Sequence, residues 1–99
     1  MINIIRNQII DKYLWGTHTL LDLWICPEIV VYKLEAKHER GAKIYFKALK
    51  IDRSGGDIKV TKLISNNHVW DTYDEAYIHA VAILHKSAGM FEAVHKLIL

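Results

Sequence analysis

Apolar and polar positions along this chain fall into two different periods, and the change between them predicts its elements. Ile2, Ile5, Ile9 and Tyr13 recur every three or four residues, with Ile10 and Leu14 beside them. That spacing puts one apolar stripe on a helix ending before Gly16, despite isoleucines that would suit a strand equally well. From Ile29 the period drops to two: Val30, Tyr32, Leu34 and Ala36 alternate with Val31, Lys33, Glu35 and Lys37, the pattern of a half-buried strand. His38-Glu39-Arg40-Gly41 turns the chain, and Ile44, Phe46 and Ala48 alternate with Lys43, Tyr45, Lys47 and Leu49 in a second strand. Asp52 to Asp57 supplies a second reversal rich in turn formers. Ile58 and Val60 then open a third strand whose alternation fails at Lys62-Leu63-Ile64, the sign of a bulge or an early strand end.

Residues 19–26 read both ways. Leu21, Leu23 and Ile25 alternate with Asp22 and Trp24 as a strand would, while Pro27 would also close a short helix; the alternation favours strand. The last clear signal is Thr72 followed three residues later by Glu75, a capping box in which the threonine hydroxyl accepts the N–H at the third helical position. Tyr73, Ala76, Tyr77, Ala80, Val81 and Leu84 then form the apolar stripe of a helix that stops near Ser87-Ala88-Gly89, and a second short helix is expected over Phe91 to Leu97. The sum is an α+β fold: a three- or four-stranded antiparallel β-meander packed against a C-terminal amphipathic helix, with an N-terminal helix flanking it. One compact domain over residues 1–99 is expected, since the 99 residues, 52% hydrophobic and 24% charged, suffice for one core without metal or disulfide staples.

Composition changes this picture little. The formal charge of +2 is too small to imply a nucleic-acid or membrane partner by itself. A single cysteine, Cys26, excludes an intrachain disulfide and suits a reducing cytoplasm. The start of the chain does not read as a secretory signal, and the apolar run from Leu20 to Cys26 is too short to cross a membrane.

Candidate chemistry is sparse. His79 and His85 lie six apart, and His18, His38, His68 and His95 show no ligand spacing, so no metal site is expected. Ser54-Gly55-Gly56 lacks the ending of a phosphate-binding loop, so no cofactor is expected. Cys26 beside Pro27 reads as a packed thiol. Asp71, Asp74 and Glu75 sit where a helix dipole favours carboxylates, and the chain is expected not to be an enzyme.

Two binding surfaces remain. The sheet face turned away from the C-terminal helix is expected to carry Lys33, Lys37, Lys43, Lys47 and Lys59 around Tyr45, with Glu35 its one acid. Lysines around an aromatic can hold a phosphate backbone and stack a base; between Glu28 and Lys62 nine Lys or Arg stand against five Asp or Glu. The rival surface is Trp70, Tyr73 and Asp74 with Trp24, where tryptophan content beyond ordinary need suggests a protein interface. Helix, three strands, helix is an order that resembles the double-stranded-RNA-binding domain over about two thirds of the chain. That family opens its second helix with lysines, whereas Thr72-Tyr73-Asp74-Glu75 stands here, so its binding residues do not carry over. A three-stranded sheet on a C-terminal helix is also similar to the arm-type DNA-binding domains of phage integrases. The expected function is a non-catalytic protein–protein interaction module, a regulator or inhibitor of a larger machine such as phage and mobile-element accessory or anti-defence proteins. The alternative is a nucleic-acid-binding module using the lysine face. A homodimer through the apolar end Leu97-Ile98-Leu99 is a further expectation.

Overall fold

The computed structural model describes residues 1–63 and 69–87. The chain runs α1 (Ile2–Tyr13), β1 (His18–Ile25), β2 (Ile29–His38), β3 (Gly41–Asp52), a 3₁₀ turn (Ser54–Gly56), β4 (Lys59–Lys62) and α2 (Tyr73–Ser87). The strands form one four-stranded sheet in the order β1-β2-β3-β4, antiparallel throughout. The expected α+β meander between two helices is therefore what the chain forms, and the ambiguous segment is strand up to Ile25, with Cys26 outside it. β4 stops at Lys62, the early end that the broken alternation signalled. The expected short helix over 91–97 and the apolar end at 97–99 lie outside the described residues.

The helices take opposite faces of the sheet. Ile5 and Ile9 of α1 pack with Leu23, Val30, Tyr32, Leu34, Leu49, Ile51 and Val60. On the other face Ala76 and Ala80 of α2 meet Ile29 and Val31. Both faces of β2 are thereby covered over its first half, which is why Ile29 to Tyr32 is an unbroken buried run and not a half-buried alternation. Four strands and opposed helices also remove the helix, three-strand, helix order that resembled the double-stranded-RNA-binding domain.

The α1 stripe is narrower than its spacing predicts. Ile5 and Ile9 are fully buried, but Ile2 and Ile10 are 48% and 44% exposed. The helix meets the two outer strands, β1 and β4, while α2 lies on β2 and β3. The sheet thus brings both its edges to α1, and only a thin line of the helix fits between them.

Each edge is guarded, as an unpaired strand must be to avoid pairing with other chains. On β4, the Gln8 side-chain amide acts as a substitute strand: its Nε2 donates to the Ile58 carbonyl at 2.7 Å, and its Oε1 accepts from the Val60 N–H at 2.9 Å. The Tyr13 hydroxyl donates to the Val60 carbonyl at 3.2 Å. On β1, the ladder pairs Leu20 with Leu34 and then Asp22 with Lys33, so Leu21 is an extra, bulged residue. The bulge resets the alternation: Leu20, Leu23 and Ile25 point to the α1 core, while Trp24 points to the α2 core. Asp22 then accepts the Leu23 N–H at 2.8 Å, which places a charge on that edge.

Thr72 caps α2 as expected, its Oγ1 accepting the Glu75 N–H at 3.2 Å. The small side chains of Ala76 and Ala80, both fully buried, let the helix approach the sheet closely.

Candidate functional site: a cationic and aromatic end of the sheet

The register separates the lysines that alternation had grouped. Directly paired residues share a face, and Lys43 pairs with Ala36, Tyr45 with Leu34 and Lys47 with Tyr32, all partners in the α1 core. Lys62 pairs with Leu49 and joins them. Lys33 pairs instead with Phe46, and Lys37 follows it by four residues on the same strand, so both lie on the α2 face, as does Lys59 opposite Asp52. The expected single lysine face around Tyr45 is therefore corrected: Lys43, Tyr45 and Lys47 remain together, whereas Lys33, Lys37 and Lys59 are on the reverse side. The physical reason is that β2 and β3 pair odd residues with even ones, so an odd-numbered lysine on one strand faces opposite to an odd-numbered lysine on the other.

Carboxylates are sorted in the same way. Asp22 stands opposite Lys33, Glu35 opposite Ile44 and Asp52 opposite Lys59, so every strand carboxylate among the described residues lies on the α2 face. The α1 face of the described strands carries the basic residues Lys43, Lys47 and Lys62, with His18 opposite Ala36, and no acid. A weak net charge thus hides a sorting by sign among the described strand residues, with Glu39 in the adjoining β2–β3 turn the nearby acid in sequence.

Among the described residues, this face is more exposed towards its hairpin end, where Lys43 is exposed and Tyr45 and Lys47 are half-buried. There the turn after α1 delivers Trp15, one of the chain's three tryptophans and 54% exposed. The turn closes by a 2.9 Å hydrogen bond from the His18 N–H to the Trp15 carbonyl. Gly16 holds φ = +49° within it, a left-handed conformation that costs other residues about 1 kcal/mol or more. The Lys47 ammonium lies 5.9 Å from the Trp15 ring centroid, and the Lys43 ammonium 5.3 Å from that of Tyr45, both within cation–π range. The His18 ring is tilted against Trp15 at 5.8 Å, its Nδ1 buried without a hydrogen-bond partner. Burial first, and the charge of Lys62 second, push the Lys47 ammonium below the ordinary lysine value. Both causes act against its positive charge, and an anion at this spot would relieve them.

The rival surface is largely consumed by packing. Trp24 meets Tyr73 edge-on at 5.1 Å and stacks with Phe46 at 6.0 Å. Trp70 pairs with Phe46 through two 2.8 Å backbone hydrogen bonds and lies 5.8 Å from His79. Trp24, Trp70 and Tyr73 are part of the α2 core and seat that helix; Asp74 is exposed in its first turn. Cys26 is half-buried in the same cluster, and burial, followed by the Cys26 thiol, pushes the Tyr73 phenol up.

Among the described residues no three His, Cys, Asp or Glu side chains come together as a metal site would require. No described helix is long and apolar enough to cross a membrane. No known protein family matches the chain, and it matches neither a curated protein nor a solved structure.

Proposed function

We propose that this chain is a non-catalytic, cytoplasmic nucleic-acid-binding domain whose recognition surface is the hairpin end of the α1 face. The observation that carries this reading is the segregation of charge. Lys43, Lys47 and Lys62 share with Trp15, Tyr45 and His18 a face whose described strands hold no carboxylate, although the whole chain is only +2. A phosphate backbone is drawn to a sheet face on which the described strands place lysines and no carboxylate, and it releases counterions as it binds.

Three phosphate contacts predict a modest salt slope. The logarithm of affinity for a short single strand should fall with the logarithm of salt by about two, so binding should weaken roughly fifteenfold between about 50 and 200 mM salt. Fluorescence anisotropy with labelled DNA and RNA oligonucleotides checks this. Binding that ignores salt, or no binding to either polymer, would contradict the proposal.

A second reading, the protein-interaction regulator or inhibitor, is favoured by one observation. The outward Ile2 and Ile10 of α1 and the bulged Leu21 of β1 are all more than two-fifths exposed, and Ile10 and Leu21 line a cleft of about 180 Å³ with Arg6, Leu20, Asp22 and Leu23. Exposed apolar strips of this kind are features of protein interfaces. If this strip holds a partner, Ile10→Glu should abolish its retention in affinity purification with nuclease present while oligonucleotide binding stays unchanged.

A further inference from the structure

We infer that the site takes single strands and not duplexes, with Trp15 as the ring on which an unpaired base stacks and the half-buried Tyr45 ring, beside the Lys43 ammonium, as a second contact. This rests on the nucleic-acid reading above and adds the strand state and the anchoring residue.

A tryptophan that belonged to the core would be covered, as Trp24 and Trp70 are in the α2 cluster. Trp15 instead keeps more than half its surface in solvent, held in a short turn by a hydrogen bond and a left-handed glycine. The ring is thus positioned by the backbone and left open. An exposed indole beside an ammonium suits a ligand with both an aromatic face and a negative charge, and a nucleotide has both.

Base pairing decides between the two forms of nucleic acid. In a duplex the faces of the bases are already stacked on one another, and a protein reaches only their edges and the phosphates. Rings on a protein surface gain nothing from such a ligand. In a single strand each base has a face free to stack, and stacking works for every base, which gives binding without a sequence code. The cation count points the same way. Lys43, Lys47 and Lys62 are few for a duplex-binding surface that depends on phosphates alone, and the described strands present no run of arginines or lysines to extend them. With two rings added, each lysine can hold a phosphate next to a stacked base.

Placement on the sheet supports this arrangement. Lys43, Tyr45 and Lys47 are successive residues of one face of one strand, which spaces their Cα atoms along a line about 13 Å long. The Lys43 ammonium approaches the Tyr45 ring and the Lys47 ammonium approaches Trp15. Rings and charges therefore alternate, as bases and phosphates do along an extended strand.

The test compares oligothymidylate with a duplex of the same length at low salt, following anisotropy and intrinsic tryptophan fluorescence. The expected result is at least tenfold tighter binding of the single strand, with quenching of tryptophan emission. Trp15→Ala should lower single-strand affinity about tenfold, whereas Trp15→Phe should keep affinity within a few-fold and lose the quenching signal, since Trp24 and Trp70 lie in the other core. A matched melting temperature for both variants excludes loss of fold. Equal affinity for duplex and single strand, or Trp15→Ala binding as well as the parent chain, would overturn this inference while leaving salt-dependent binding intact. Absence of binding to either form would overturn both this inference and the reading beneath it.

Discussion

Reversing charge at both Lys43 and Lys47 is expected to reduce oligonucleotide affinity about a hundredfold or more at low salt, because each substitution removes one phosphate contact and adds one repulsion. The informative control is Lys50→Glu with Lys59→Glu. Those lysines pair with Ile29 and Asp52 on the α2 face, so the control changes net charge equally and should alter affinity only a few-fold. If the two double variants lose affinity equally, net charge and not the α1 face governs binding. Lys47 also sets a pH dependence. Burial and Lys62 lower its proton affinity in the free chain; Tyr32 stands across the ladder from it, Lys43 and Tyr45 share its strand, and Trp15 covers its ammonium. A bound phosphate favours the charged form, so affinity should fall as pH rises through the lowered free-state value, with proton uptake on binding in that window. Folding stability moves the other way: the unfolded chain holds the Lys47 proton more tightly, so stability rises with pH between the lowered value and the ordinary one. Calorimetry in two buffers of different ionisation enthalpy measures the proton uptake directly.

The second large effect falls on stability. Gln8→Leu should cost about 2–4 kcal/mol, because it removes two hydrogen bonds and leaves the Ile58 carbonyl and the Val60 N–H with no partner in a half-buried seam, each worth about 1–3 kcal/mol when unsatisfied. For a domain of this size that lowers the melting temperature by roughly 10–25 °C. Gln8→Glu separates the two bonds. Its carboxylate still accepts from Val60 but turns an acceptor oxygen towards the Ile58 carbonyl, so it should also destabilise the fold, and acid that protonates the side chain should recover part of the loss. The leucine variant should also self-associate on sedimentation, since the β4 edge loses its cover. A loss below about 0.5 kcal/mol, within the range of ordinary surface substitutions, would show that the Gln8 amide does not guard that edge.

Gln8 also shows where reading the sequence stops. A glutamine in the middle of an amphipathic helix looks like solvent-facing filler, and only the tertiary approach of β4 turns its amide into a strand partner. The elements themselves were legible, because period, turn residues and the Thr72 cap are local. Leu21 was not: the alternation of Leu21, Leu23 and Ile25 favours strand, and all three lie in β1, yet the bulge puts Leu20 inward in place of Leu21. The same kind of register information divided the lysines, since residues on different strands share a face only through their pairing. Lys43, Tyr45 and Lys47 stayed together because they lie on one strand, where period two is enough. Trp15 was hidden for another reason. It belongs to neither period, and nothing in the sequence tells a turn tryptophan that packs from one that stays open. Trp24, Trp70 and Tyr73 show the same limit from another side: their abundance does not say what they pack on, and here they lie half-buried against the α2 cluster.

The central claim, that the lysine-bearing α1 face with its aromatic rings is where this chain meets nucleic acid, is tested most directly by titrating the isotopically labelled protein with a short single-stranded oligonucleotide and following its backbone and indole resonances. The account predicts shifts concentrated at Trp15, His18, Lys43, Tyr45, Lys47 and Lys62, including the Trp15 indole N–H, with Lys33, Lys59 and the Trp24 and Trp70 indoles unmoved. Shifts centred on α2 and the aromatic cluster beneath it, or a spectrum that the oligonucleotide leaves unchanged, would contradict it.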